Sequence, residues 1–536
     1  MKILVSDKLA DEGLEILRAE PGAEVDVNTD LSPEELTAVL GQYDGICIRS
    51  GTKLTADVLA EPGNLKAIAR AGVGVDNVDL PTATRHGIVV MNAPDGNTLS
   101  TAELTVGLML AVSRKFVPAC NSLKGGEWNR KAYKGNQVAG KTIGIVGLGR
   151  IGTAVAKRCL GLEMKVVGYD PFIAGTPPDL AKEIRLVDNF DDLLAEADYL
   201  TVHTPMSDET RGIIGKEALA RLPDGAFVIN AARGGIVDED ALLEALESGH
   251  LAGAALDVYP SEPPENRPLV EHPKVLCLPH LGASSVEAQR NVAIDACHNL
   301  LDCLAGRELR NAVNVPAIDF AAVGELKPYA ELGHRAGAIL AALMHGRLRR
   351  LTVTYAGDIA KEPYRQVTIS VVMGMLQRVS STTLNMVNAM MVAKEEGLEI
   401  SEQTETDGRG YVSRVRVVAD GDKESHAVEG TVFHHRYVRI TSIDDFYMEL
   451  KPAGDLVILF NQDRPGVIGE VGSTFGKRDI NIATMTFGRK LDTEEACLAL
   501  TLDTVPPKNL LEDLRAKDFM KRVQHVSLPP LQSESA

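Results

Sequence analysis

Residues Lys141–Gly152 read KTIGIVGLGRIG, an apolar run that breaks into the pattern G-x-G-x-x-G at Gly147, Gly149 and Gly152. Three spaced glycines alone describe many loops. Here the run before them has strand character, and Ile151 to Leu160 continues with helical character. A second strand, Met164–Tyr169, ends on Asp170, 18 residues beyond Gly152. The order strand, glycine turn, helix, strand, acid suits a dinucleotide. The glycines let a pyrophosphate approach the backbone at a helix N-terminus. A carboxylate at Asp170 accepts from ribose hydroxyls and repels a 2′-phosphate, which favours NAD over NADP.

The same rhythm extends on both sides. Residues 1–97 alternate short strand-like runs (KILVSD, AEVDVNT, YDGICIRS, LKAIARA, GIVVMNA) with helical segments such as Pro33–Leu40. Asn97–Arg114 reads as one long helix, with Ser100 as N-cap and Glu103 completing a capping box. Beyond the glycine motif come KVVGYD, YLTVHTP, AFVINAARG, GAALDVY and VLCLPHLG, each strand ending in polar or glycine residues. The helical stretch Glu287–Ala305 then returns the chain to the first layer, and NAVNVP at 311–316 closes the unit. The fold expected is α/β: a substrate lobe (1–97 and 287–316) and a Rossmann-like NAD lobe (98–286) facing across a cleft.

The remainder has another texture. Residues 317–452 combine helical runs (Tyr329–Met344, Val367–Val379, Leu384–Glu396) with turn-punctuated strands, an α+β module. After a linker at Lys451–Asp455, residues 453–530 follow the order βαββαβ, and the tail QSESA is expected to fray.

Composition narrows the partners. The formal charge of −18 disfavours nucleic acid and anionic membranes. Leu104–Val112, the most apolar later segment, falls far short of a membrane span. The chain starts without a secretory signal, and its seven dispersed cysteines contain no CxxC pair. These features point to free thiols in the cytoplasm and to neither a disulfide framework nor a metal site.

Three polar residues stand where strands end in the NAD lobe: Arg233 in NAARGGIVDEDAL, Glu262 in DVYPSEPP and His280 in PHLGAS. Removing hydride from a 2-hydroxy acid needs a cation for the carboxylate, a base for the hydroxyl proton and a carboxylate to orient that base. Arg, His and Glu supply these functions. Each also has a structural alternative: a helix cap, a solvated loop acid, a packed imidazole.

GLGRIG, HTP at 203–205 and these three motifs, in this order, resemble the D-isomer-specific 2-hydroxyacid dehydrogenase family. The N-terminal IRSGTKLT, RAGVGVDNVDL and NAPDGNTLSTAEL extend the resemblance, which covers essentially the whole chain. It implies catalytic Arg233, Glu262 and His280. It implies NAD contacts from Gly147, Gly149, Arg150, Ile151, Gly152, Asp170, Thr204, Ala231, Ala232, Arg233, Asp257, His280, Gly282 and Ala283. Val73 departs from the family, which often has a hydroxyl residue there, so only the backbone of Gly72 and Gly74 remains for contact.

The resemblance is strongest to long-form members that act on a phosphorylated three-carbon acid at the entry to serine synthesis. It implies that Arg49 and Arg70 help hold the substrate phosphate, that Asn97 helps hold the carboxylate end, and that Gly72 is among the substrate-binding residues. Arg130 or Lys131, after Trp128, would add a cation from a neighbouring subunit. Lys53 and Lys131 read equally as solvated surface charges. The last unit, with NQDRPGVIGEVGSTFGKRDINIATM, resembles an ACT domain, where Asp463 and Asn481 would bind L-serine as inhibitor. The same unit also reads as a dimerisation module. Arg347, Arg349 and Arg350, with His434, His435, Arg436 and Arg439, form a candidate second anion site. Two pairing surfaces favour a homotetramer. The alternatives are a broader glyoxylate or hydroxypyruvate reductase and an NADH-sensing corepressor.

Overall fold

A computed structural model describes residues 1–173, 183–315, 320–377, 383–490 and 493–533, with the side chains of 320–325 excepted. The expected ends of NAVNVP at Pro316, of the helix at Val379 and of the QSESA tail lie outside the described residues.

The first lobe is a parallel sheet of β1 (Lys2–Val5), β2 (Glu24–Val27), β3 (Gly45–Ile48), β4 (Ala67–Arg70) and β5 (Val89–Met91), in the order β2-β1-β3-β4-β5. Its strands are mostly buried, as both faces carry helices. Helix Pro33–Leu40 has the bounds its sequence predicts and a real capping box, in which Ser32 caps Glu35 and Glu35 returns the bond. The long helix Val286–Leu304 packs Val292, Ala293, Ala296 and Leu300 into this lobe's core.

The second lobe is also parallel: β6 (Thr142–Val146), β7 (Lys165–Tyr169), β8 (Ile184–Leu186), β9 (Tyr199–Val202), β10 (Ala226–Asn230), β11 (Leu251–Leu256) and β12 (Val275–Cys277). The order β12-β11-β10-β9-β6-β7-β8 reverses between β6 and β9, the switch point where such sheets bind nucleotides. The expected two-lobed Rossmann-like fold is therefore present, with β8 an addition that the sequence pattern did not announce.

The helix connecting the lobes spans Thr98–Ser113 with Asn97 as its N-cap, and it has no side-chain cap bond. Ser100 therefore lies inside it, contrary to the expected capping box. The physical reason is tertiary. Glu103 is used 2.9 Å from Arg158 instead of reaching back to a cap, and Thr101 donates to the Gly282 carbonyl.

The third unit is a six-stranded sheet covered by the helices Phe320–Leu343, Arg365–Leu376 and Ala389–Glu395. The last is a four-stranded antiparallel sheet with two helices in the order βαββαβ. Its first strand already begins at Gly454, inside the expected linker. One core runs through both units: Ile458, Ala499 and Val526 of the last join Phe446 and Leu450 of the third. The third unit also grips the first lobe, since Asn385 donates to the Gly87 carbonyl at 2.8 Å and Arg85 pairs with Glu395.

The expected basic cluster does not assemble. Arg349 and Arg350 lie beside the turn that joins Asp420 to Ser425, whereas His434–Arg436 form the turn at the far end of the strand Ser425–Phe433. A strand of that length separates them by roughly 27 Å. Arg350 is paired with Glu399, and Arg436 and Arg439 lie against the Tyr437 ring.

Candidate active site

The three glycines of Gly147–Gly152 serve three different local needs. Gly147 has φ 90°, and a side chain there would meet the His203 carbonyl at 2.8 Å across the switch point. A Cβ on Gly152 would lie 2.0 Å from the Gly147 carbonyl, so only glycine lets the helix Arg150–Gly161 start so close to β6. Gly149 faces open space, the room a pyrophosphate needs above the helix N-terminus. Asp170, just after β7, accepts from the Leu148 amide at 2.9 Å and from the Phe172 amide at 3.0 Å. Each carboxylate oxygen keeps capacity for a ribose hydroxyl. Thr204 Oγ1 is buried without a partner in the protein, an orphan that a bound cofactor would satisfy. These residues fit a dinucleotide.

Between the lobes lies a cleft of about 980 Å³. The structure brings Arg233, Glu262 and His280 to its walls, with Ile151, Ala231, Ala232, Gly282 and Ala283 from the NAD lobe and Arg49, Arg70, Gly72 and Asn97 facing them. His280 Nδ1 lies 2.8 Å from Glu262 Oε2. Arg233 donates to the Ala232 carbonyl at 2.8 Å, and its Nε is 3.3 Å from Asp76 Oδ2 in the other lobe.

The first lobe's wall is cationic. Asn77 organises it, accepting from Arg70 Nε at 3.0 Å and donating to the carbonyls of Arg49 and Thr52. Arg49 is tied by its amide to Asp7 and by its guanidinium to the Lys8 carbonyl. Burial, reinforced by Arg233 and Arg49, lowers the Arg70 pKa to about 10. Guanidiniums held together against their own repulsion make an anion-attracting wall. Lys53 lines the same cleft, whereas Arg130 and Lys131 are exposed and outside this chain's cleft.

Asp257 is fully buried, and both of its oxygens accept from the backbone, Leu281 at 2.7 Å and Gly282 at 2.8 Å. Burial raises its pKa against those bonds. It thus fixes the turn carrying His280 and is not on the cleft surface. Arg150 is exposed and pairs with Asp95 at the lobe boundary. Asp76 and Asn77, in the RAGVGVDN segment, were not singled out from sequence; their signal was a pair of polar residues directly after the glycines that carry the backbone route.

In the last unit, Asp463 Oδ2 lies 2.9 Å from Arg489 Nε, and Asn481 donates to Asp503 at 2.7 Å. Gly466 has φ 95° and begins the helix Val467–Gly476, and nothing approaches within 4 Å of a Cβ on Gly466 or Gly469.

Family models match three successive parts of the chain. These are the D-isomer specific 2-hydroxyacid dehydrogenase NAD binding domain at 106–282, the D-3-phosphoglycerate dehydrogenase intervening domain at 325–444 and the ACT domain at 456–519. The D-3-phosphoglycerate dehydrogenase of Archaeoglobus fulgidus is 41% identical over 533 residues, covering 98% of this chain and 100% of the relative. The chain belongs to the D-3-phosphoglycerate dehydrogenase family. The D-3-phosphoglycerate dehydrogenase of Bacillus subtilis is 40% identical over 529 residues, again with 98% and 100% coverage. Among solved structures, a Thermus thermophilus protein shares 38% identity and a TM-score of 0.54, covering 58% of this chain and 100% of its own. A glyoxylate reductase from Paecilomyes thermophila shares 30% identity and the same TM-score, covering 58% of this chain and 98% of its own. As a member of an NAD-binding dehydrogenase family, the chain uses NAD as its cofactor. Among the described residues no helix is long and apolar enough to cross a membrane.

Proposed function

We propose that the chain oxidises D-3-phosphoglycerate to 3-phosphohydroxypyruvate with NAD, and that Arg233, Glu262 and His280 carry the step. The observation that supports this most directly is the His280–Glu262 pair at 2.8 Å, sharing one cleft with Arg233, Arg70 and Arg49. Glu262 accepts the hydrogen bond from Nδ1–H, which leaves Nε2 as the lone-pair nitrogen for the substrate hydroxyl proton. Glu262 also stabilises the imidazolium that results. Arg233 holds the carboxylate and polarises the C2 oxygen, and Asn97 helps at that end. Arg49 and Arg70, with Lys53 beside them, take the phosphate. NAD, when bound, supplies the acceptor for the C2 hydride.

Gly147, Gly149 and Gly152 are assigned to the pyrophosphate, Asp170 to the ribose, and Thr204 and the Ala231–Arg233 segment to the rest of the cofactor. Arg130 is assigned to a neighbouring subunit's cleft. In the ACT unit, Asp463 and Asn481 with the open glycines 466 and 469 are assigned to L-serine, giving end-product inhibition. A homotetramer in the cytoplasm completes the reading. Its two pairing surfaces are the exposed Leu99, Phe116, Val117 and Leu123 and the edge strand Ile482–Arg489.

The test is NADH production from D-3-phosphoglycerate, with glycerate and lactate as competing substrates, repeated across an L-serine titration. Turnover with glycerate or lactate but not with the phosphorylated acid would remove the substrate assignment. A flat serine response would remove the regulatory one alone.

A further inference from the structure

Asp76 stands in the loop that follows β4, and its carboxylate reaches the guanidinium of Arg233 in the opposite lobe. The contact is made at Nε, 3.3 Å from Asp76 Oδ2, while Nη1 is occupied by the Ala232 carbonyl at 2.8 Å. Two of the three guanidinium nitrogens are therefore held by the protein. The third, Nη2, lies over Gly74, where an added Cβ would be 2.2 Å from it and 2.6 Å from Asp76 Oδ2. Glycine at 74 leaves the space that this ion pair fills.

The charges around the pair give it a second purpose. Arg70 and Arg233 are close enough to repel, and among the influences on Arg70 the strongest opposing one is Asp76. Arg49 adds to the repulsion, while Asp7, which also faces this wall, is engaged by the backbone amides of Arg49 and Thr52. Asp76 is itself mostly exposed, so burial does not fix it and its neighbours must.

We propose that Asp76 is a positioning residue for the oxidation: it orients the Arg233 guanidinium through Nε and tempers the joint positive charge of Arg233 and Arg70. The proposal rests on the reading of Arg233 as the carboxylate-holding cation. A guanidinium held at Nε and Nη1 presents a defined Nη2 edge to the cleft. Released, it samples rotamers in which that edge is misplaced, and displacements of about 1 Å cost up to roughly 100-fold in rate. With the acid gone, the cleft also attracts anions that do not react.

The experiment compares Asp76→Ala, Asp76→Asn, Gly74→Ala, Arg233→Ala and the double variant Asp76→Ala/Arg233→Ala in the full chain. It measures kcat, KM and competitive inhibition by inorganic sulfate. Asp76→Ala is expected to lose about 10–100-fold in kcat and to bind sulfate several-fold more tightly. Asp76→Asn, which keeps an acceptor for Nε but not the charge, recovers most of kcat and retains the tighter sulfate inhibition. Gly74→Ala, which pushes the same pair apart with no positive φ to strain, shares the kcat loss. Because Asp76 acts through Arg233, the double variant is no slower than Arg233→Ala. An Asp76→Ala protein with unaltered kcat, KM and sulfate inhibition, beside a crippled Arg233→Ala, overturns the role of Asp76 alone. Normal turnover in Arg233→Ala overturns the reading on which it rests.

Discussion

The Nδ1 atom of His280 is 2.8 Å from the Glu262 carboxylate, and His280 holds that position with φ 56°, in the left-handed region. A non-glycine residue adopts this conformation only when its surroundings impose it. They do so here: Asp257 clamps the next two amides, Leu281 and Gly282. The imidazole is thus aimed by a side chain on one flank and by a buried acid on the other. Replacing His280 with Ala should lower kcat by about two to four orders of magnitude. Glu262→Gln keeps the shape but can present an amide donor to Nδ1 and so select the wrong tautomer, and its kcat should fall by at least about 100-fold. Steady-state NADH production checks both, and near-normal turnover in His280→Ala would move the base elsewhere.

The glycines of the nucleotide turn separate folding from binding. At Gly152 an added methyl meets backbone, the Gly147 carbonyl at 2.0 Å, which cannot rotate away. Gly152→Ala should therefore destabilise the NAD lobe by about 1–3 kcal/mol, as overpacking does, and lower its melting temperature without cofactor present. At Gly149 nothing lies within 4 Å, so Gly149→Ala should melt like the parent. It should still weaken NADH binding about tenfold or more, because the methyl occupies the approach of the pyrophosphate. Thermal melts and an NADH fluorescence titration on the two variants would show whether the losses divide in this way.

Local pattern carried most of this architecture. The run Thr142–Val146, its glycines and Asp170 are neighbours in sequence, and the periodicities that mark strand and helix are local too. Ser100 was misread because Glu103 had a better partner in Arg158, a contact made only by packing two helices. The Arg347–Arg350 and His434–Arg439 groups looked like one basic patch. The antiparallel register sends them to opposite ends of a sheet, and composition carries no register. Asp76 was invisible as a partner of Arg233 because the lobes that bring them together are separated by the whole nucleotide turn. Nothing local to Asp257 says that both its oxygens accept from the backbone amides of Leu281 and Gly282.

His203 gives the acid side of the stability profile a specific contributor. Its Nε2 is 3.1 Å from Thr201 Oγ1, its Nδ1 is buried without a partner, and burial lowers its pKa from 6.5 to about 4. The folded site is therefore neutral where the unfolded chain takes up a proton. The stability this site contributes is intact above pH 6.5 and is lost as pH falls from 6.5 towards 4. Within that window the slope from one site is at most about 1.4 kcal/mol per pH unit. Urea unfolding at pH 7 and at pH 4.5 should show a shallower decline for His203→Gln than for the parent chain. Equal declines would mean that the ring gains a proton without unfolding.

Asp170 does two jobs that a single binding constant would blur. Through Oδ2 it ties the Leu148 amide, and with it the glycine turn, at 2.9 Å; in the proposed reading its charge also meets the adenosine ribose. Loss of the tie loosens the turn equally for NAD and for NADP. Loss of the charge acts oppositely on the two, since a carboxylate accepts from 2′-hydroxyls and repels a 2′-phosphate. The ratio of kcat/KM for the two cofactors therefore cancels the first effect and isolates the second. In Asp170→Ala, kcat/KM with NAD should fall about 10–100-fold, the range expected when hydrogen bonds to a charged acceptor are removed. With NADP it should fall much less or rise, bringing the ratio towards one. A ratio equal to the parent's, with both cofactors weakened alike, would leave Asp170 as a tie for the turn and put the ribose contact on another residue.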